Sequence, residues 1–366
     1  MVRAISFMML RKRRRRMKLV QEQRTEINGQ PIIAFTLAND HGMEITCLNY
    51  GCIITSILVP DKNGNVENVV LAFDDFSSYF TNYPYLGAVI GRVAGRIKDS
   101  CFNLNGKTYK LHANENKNHL HGGKKGFHHV IWQAEAFSQS EEVGVRFLRR
   151  SVDGEEGYPG NVDVQVTYTL NNQNEFIISY HATSDQDTPL TLTNHTYFNL
   201  SGNVKRDILQ HELKIKSDRF LPLDHEFLPT GEIKDVAGTL FDLRQGKVLK
   251  EVIDSTDPQI VLVGQGYDHP FVLNAHHDEE IVLCDRESGR TLIVETDEPA
   301  VVVYTGNQLP NEETINGVPS RKYLGICLET QAFPNALHHS HFPSCILRAG
   351  KVYSSTTKYT FRLAHE

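Results

Sequence analysis

Few segments of this chain pair a reactive side chain with a context that would put it to use. Gly325-Ile-Cys-Leu-Glu-Thr-Gln331 ends an apolar, strand-like run on an acid. A carboxylate there is costly to desolvate unless it has a partner or a task, which makes Glu329 a candidate general base. Thr193-Asn-His-Thr-Tyr-Phe-Asn-Leu200 sets His195 among hydrogen-bonding and aromatic residues, a context that by itself reads as a buried structural histidine. Gly266-Tyr-Asp-His-Pro-Phe271 puts Asp268 ahead of a Pro-bounded strand, where Asp commonly shapes a turn. In Asn118-His-Leu-His-Gly-Gly123 the two histidines would share one face of a strand. The glycines after His121 suggest a side chain at a strand end, beside backbone that must stay uncrowded. Ile90-Gly-Arg-Val-Ala-Gly-Arg-Ile97 carries Arg92 and Arg96 four apart, pointing the same way on a strand and reading first as surface ion pairs.

Other chemistries find less support. His119 with His121, and the group His338, His339 and His341, invite a metal reading. Neither has Cys or carboxylate ligands at metal spacing, and there is no HExxH, so no metal site is expected. The GxxxGxI run lacks both the Walker lysine and the third Rossmann glycine. No GxSxG elbow exists and no Cys sits in a nucleophile motif. Asp153-Gly-Glu-Glu-Gly-Tyr-Pro-Gly160 reads as a tight structural connection. What remains is histidines, one strand-end glutamate, an aspartate and an arginine. Such a set suits proton transfer to and from a neutral polar ligand without a cofactor.

The elements that must position these groups are strands. Val162–Leu170 and Phe176–Thr183 alternate around the turn at 170–175, and Ile281–Cys284 and Thr291–Glu295 flank another hairpin turn. Glu44–Val59 looks like a long or bent strand interrupted at Gly51, Gly64 closes a turn, and 74–82 manages one or two short helical turns. Turn signals recur across roughly 25–365 with helical periodicity nearly absent. The expectation is an all-β protein, two large twisted antiparallel sheets packed face to face.

Composition agrees and sets limits. At 366 residues, 40% hydrophobic and 22% charged, the chain can bury a large core, and no run of 18 apolar residues suggests a membrane span. Residues 1–20 hold eight Lys or Arg and no acid, while 21–366 hold 30 basic against 44 acidic residues, a net of −14. So acidic a body suits a neutral small solute better than nucleic acid or an anionic membrane. Residues 1–20 read as a disordered extension, with Met17 a candidate start, ahead of a single domain over 21–366. The six cysteines, scattered without CxxC spacing, read as free, buried thiols in a reducing compartment, so a cytoplasmic protein is expected.

Taken together, the segments resemble the aldose 1-epimerase (galactose mutarotase) family. IGRVAGRI, NHLHGG, DGEEGYPG, TNHTYFNL, GYDHPF, VYTGN and CLETQAFPNA, with GKVYSSTTKYTF near the end, follow in order over nearly all of 25–365. The resemblance implies a large antiparallel β-sandwich, the galactose mutarotase-like supersandwich, with an open cleft and no metal or organic cofactor. It implies an isomerase that interconverts the α and β anomers of free hexoses such as D-galactose and D-glucose, feeding hexose metabolism. Carried over, the general base falls on Glu329, the general acid on His195, and sugar-binding roles on Arg96, His121 and Asp268. The expected partner is a free aldohexose, with no nucleic acid or membrane, and the expected state is a monomer or weak dimer. A hexose-6-phosphate epimerase-like enzyme and a non-catalytic sugar-binding protein are the alternatives. Gly95 stands where the family commonly has Asn, Thr196 where Ser is frequent, and Phe333 where Trp is frequent. Each of the three bears on how sugar hydroxyls or the sugar face are held.

Overall fold

The computed structural model describes residues 17–81 and 83–363. Alternating side chains build its sheets. In Val162–Asn171, Val162, Val164, Val166, Tyr168 and Leu170 all turn inward, and Phe176, Ile178, Tyr180 and Ala182 do the same in Glu175–Ser184. The two strands pair in antiparallel register, Val162 opposite Ser184, so their buried faces coincide. They sit inside a nine-stranded sheet that runs from Gln133–Ser138 at one edge to Lys247–Val248 at the other. Val352–Leu363 lies between Glu175–Ser184 and Arg290–Thr296 and joins the two halves of that sheet.

Two further large sheets make up the main architecture, beside five two-stranded ones among the described residues. Five strands from Lys18–Ile27 to Val66–Asn68 follow one another as a meander. Six more run in the order Tyr197–Phe198, Ile326–Gln331, Ala300–Tyr304, Asp268–Val272, Arg219–Phe220 and Lys234–Asp235. One continuous apolar core takes side chains from all three, among them Phe35 and Ile57, Tyr168 and Val294, Ile326 and Leu328. Each such side chain contributes roughly 1.5–3 kcal/mol relative to leaving it in water. The all-β expectation agrees with this architecture, and the helical turn expected at 74–82 is the short 3-10 helix Phe76–Phe80, capped by Asp75.

Three expectations need adjusting. Glu44–Val59 is not one bent strand but a hairpin, Glu44–Leu48 against Ile54–Pro60. Gly51 turns it with φ +60° and packs so tightly on the His128 carbonyl that a Cβ would sit 2.4 Å from its oxygen. The extension expected over 1–20 falls mostly on residues 1–16, outside the described residues. Lys18–Val20 instead begin the edge strand Lys18–Ile27, and Met17 and Leu19 pack against the core. The cysteines are free, yet Cys101 and Cys284 are only partly buried. No described helix is long and apolar enough to cross a membrane.

Candidate active site

The six-stranded sheet makes the floor of a cleft, and its register decides what lies on that floor. In Ile326–Gln331, Ile326 and Leu328 enter the core and Thr330 meets Thr357 of the large sheet, Oγ1 to Oγ1 at 2.6 Å. The alternation therefore turns Cys327, Glu329 and Gln331 to the opposite face. Their cross-strand partners are Tyr304, Val302 and Ala300, and beyond these stand Asp268 opposite Tyr304 and Pro270 opposite Val302. Asp268, Tyr304, Val302, Glu329 and Gln331 thus line one open cleft of about 870 Å³.

Loops bring the remaining groups over this floor. His195 follows the two-residue strand Thr193–Asn194, its N–H donating to the Ala88 carbonyl at 2.9 Å and its own carbonyl accepting from Gly87 N–H at 3.1 Å. Its Nδ1 lies 3.5 Å from Cys327 Sγ, which leaves Nε2 facing Glu329 Oε1 at 3.4 Å. A neutral thiol both donates and accepts, so Cys327 suits a ring that changes protonation state. His121 sits where the strand His119–Leu120 ends, in a left-handed conformation with φ +51°. Its Nδ1 accepts from Gly95 N–H at 3.2 Å, so its hydrogen sits on Nε2. Arg96 holds Glu115 with two bonds, Nε to Oε2 at 2.6 Å and Nη2 to Oε1 at 2.8 Å, and lies over the Phe227 ring at 5.2 Å.

Burial dominates the electrostatics. Glu329 and His195 are 3% and 4% exposed. Burial pushes the Glu329 carboxyl well above the usual range, Asp268 adds to the push and Arg96 opposes it. Burial also draws His195 down to about 4 and His121 well below the usual imidazole value, with His195 and Arg96 contributing for His121. Asp268 is raised by burial against the pull of Arg96. The site therefore resists charge on both its acids and its imidazoles. Glu329 Oε2 is buried with no hydrogen-bond partner among the described residues.

All five residues singled out from sequence, Arg96, His121, His195, Asp268 and Glu329, line this one cleft. The paired-arginine reading is corrected: Ile90–Ile97 is not a continuous strand, and the two side chains part company. Arg92 is buried, donating to Ser151 Oγ and to the Ser151, Val152 and Pro159 carbonyls, while Arg96 enters the cleft. His119 and His121 do not share a face either, because the strand stops between them. His119 goes to the Tyr158 hydroxyl and the His112 carbonyl. His338, His339 and His341 each bond a backbone carbonyl.

A different trio, His121, His195 and Glu329, brings three potential metal-ligand atoms within 4.8 Å of one another. The hydrogen bond from Gly95 argues for another use. A metal-bound imidazole turns its second N–H outward to an acceptor, whereas His121 accepts at that atom and presents an N–H to the cleft. Of the three departures from the family pattern, only Gly95 lines the cleft. Thr196 bonds back to Asn194 Oδ1, and Phe333 packs on Phe342 at 5.2 Å in a separate apolar cluster. Sequence reasoning missed Glu115, Phe227, Tyr85, Tyr304 and Gln331. Two had a signal: Gln331 stands two residues after Glu329 on one strand face, and Tyr304 lies in the VYTGN motif. The others reach the cleft from loops.

The aldose 1-epimerase family model matches residues 34–360. A galactose mutarotase from Homo sapiens is 42% identical over 342 residues, covering 92% of this chain and 96% of that protein. An aldose 1-epimerase from Escherichia coli (strain K12) is 35% identical over 339 residues, covering 91% and 96%. The crystal structure of galactose 1-epimerase from Lactobacillus acidophilus NCFM superposes with a TM-score of 0.86 at 30% identity, over 95% of this chain and 100% of that one. With the family match spanning most of the sequence and the β-sandwich shared with that enzyme, the chain belongs to the aldose 1-epimerase family of isomerases.

Proposed function

We propose that the cleft binds a free aldohexose such as D-galactose or D-glucose and interconverts its anomers, with Glu329 as base and His195 as acid. Anomer exchange requires the C1 hydroxyl to lose a proton while the ring oxygen gains one. The ring opens to the aldehyde, the C1–C2 bond rotates, and closure on the other face returns both protons. The observation that carries the reading is the His195 Nε2 to Glu329 Oε1 separation of 3.4 Å on the cleft floor, with Glu329 Oε2 unpartnered. Two proton-transfer groups so close can flank one anomeric centre, and each positioned group typically contributes about 10²–10⁴-fold.

The opposed pKa shifts fit this use. With Glu329 raised and His195 lowered, a proton shared by the pair favours the carboxyl over the imidazole. Moving that proton from carboxyl to imidazole creates the carboxylate and imidazolium that ring opening consumes. Ring opening then leaves the carboxyl protonated and the imidazole neutral, ready to reverse the transfers. His121 Nε2–H and Arg96 would donate to sugar oxygens, and Asp268 would accept from hydroxyls. A phosphorylated hexose fits less well. Among the described cleft residues Arg96 is the single Lys or Arg, already paired with Glu115, against the acids Glu115, Asp268 and Glu329.

Polarimetric relaxation of fresh α-D-galactose and α-D-glucose tests the reading. The protein is expected to accelerate both, before and after exhaustive EDTA treatment. Glu329→Gln is expected to lower the rate by at least about 10²-fold while sugar binding persists. Sugar binding without any acceleration by the wild-type protein would leave a sugar-binding protein instead.

A further inference from the structure

We propose that the Gln331 side-chain amide, reached across the bare backbone at Gly95, is a hydroxyl-recognition subsite that helps select which aldose the cleft accepts. This rests on the sugar reading above. Gln331 is 0% exposed, yet it lines the cleft, and its buried Oε1 has no hydrogen-bond partner among the described residues. Among the described residues its Nε2 reaches only the Ala332 carbonyl, at 3.4 Å. A buried amide with an unused acceptor and a weakly used donor is an uncompensated cost in the empty protein. The cost is recovered if a ligand group bonds there. One amide offers an acceptor and two donors, a match for sugar hydroxyls, each of which also donates and accepts.

Position supports the same occupant. Gln331 stands two residues beyond Glu329 on one strand face, about 7 Å along the backbone. A ring whose C1 hydroxyl meets Glu329 can therefore present another hydroxyl to the amide. A charged residue here would add a further acid or an ion pair beside the proton-transfer pair, whereas an amide recognises hydroxyls without disturbing it. Gly95 puts no side chain over the amide. It lines the cleft at φ +76°, and a Cβ there would stand 3.4 Å from Gln331 Nε2 and 3.0 Å from Pro334 Cβ. Any side chain at 95 would press on the amide and cover part of its approach.

The test measures mutarotation kinetics on D-galactose, D-glucose and their 2-, 3-, 4- and 6-deoxy analogues, for wild type, Gln331→Leu and Gly95→Asn. Asn tolerates the left-handed backbone that Gly95 adopts. Gln331→Leu is expected to raise KM for the parent sugar about tenfold with kcat changed less than about threefold, the mark of binding shared by ground and transition states. Wild type should pay a similar penalty on one deoxy analogue, and Gln331→Leu should pay no further penalty on that analogue. Gly95→Asn should alter the penalty for the same hydroxyl, which keeps the test valid if the Leu variant does not fold. An unchanged KM, or wild-type discrimination against every deoxy analogue in both variants, would overturn the proposal while wild-type mutarotation stands. Absence of mutarotation by wild type would instead remove the parent reading.

Discussion

Arg96 depends on a residue that carries no motif. Its guanidinium would otherwise be a long, mobile cation, but Glu115 grips both Nε and Nη2 and the Phe227 ring supports its face. The pair also tunes its surroundings. Burial alone would weaken the Arg96 charge, yet Glu115 and Asp268 together hold its pKa above the ordinary value. Glu115 in turn raises Asp268. Glu115→Gln keeps the shape and removes the charge, so Arg96 should lose its fixed orientation while the Glu329–His195 pair stays intact. The expected result, read by polarimetry, is a KM for galactose raised about tenfold with a smaller change in kcat, in line with one charge-assisted bond. A kcat that collapses while KM holds would mean that Glu115 acts on the proton-transfer pair instead.

Short turns place the cleft side chains as firmly as the strands do. His121 leaves its strand in a left-handed conformation, and Gly122 and Gly123 follow at φ +81° and +93°. A Cβ on Gly122 would lie 1.8 Å from the Gly91 carbonyl oxygen, and one on Gly123 2.2 Å from Glu156 Oε2. The turn is therefore pressed against the Ile90–Ile97 segment that carries Arg96. Gly122→Ala should lower Tm strongly and cut kcat/KM at least about tenfold, because backbone must move at both His121 and Arg92. Gly29, at φ +75° with nothing within 4 Å of its Cβ position, supplies the control. Gly29→Ala should cost only the left-handed preference, about 1–2 kcal/mol, and leave kcat/KM unchanged. Comparable losses in the two variants would show that crowding at the His121 turn is not what matters.

Across the whole molecule, histidines buried without their charge tie stability to pH. Burial brings His119, His195 and His211 down to about 4 and His269 to about 3, and holds His121 and His128 well below the ordinary value. Between pH 6.5 and about 4 the unfolded chain binds protons at these sites that the folded chain does not. Stability from them is thus full above pH 6.5 and lost as pH falls toward 4, by about 1 kcal/mol per histidine and pH unit. Glu329, Asp268 and Glu298, whose carboxyls are raised, act in the opposite sense, losing stability as pH rises above their ordinary range. Six histidines outweigh three acids, so the urea midpoint should fall steadily from pH 6.5 to 4.5. A midpoint that stays flat or rises over that interval would contradict the neutral burial of these rings.

The alternation of apolar residues along single strands was enough to give an all-β chain and its hairpins, because side-chain direction in a strand follows from backbone geometry alone. The same alternation put Glu329 at the end of an apolar run, and the order of motifs brought His195, His121, Asp268 and Arg96 into view as one set. Sequence alone could not say which faces meet. Arg92 and Arg96 look alike four residues apart, yet one anchors carbonyls in the interior and the other enters the cleft. Their fates depend on where a pair of two-residue strands ends and on which distant strands cover them. Glu115 and Gln331 gained their meaning in the same way, one from the Arg96 guanidinium it grips and the other from the register of three strands. Such pairings join residues far apart in the chain, and they are decided by the burial of the whole core, which no local window contains.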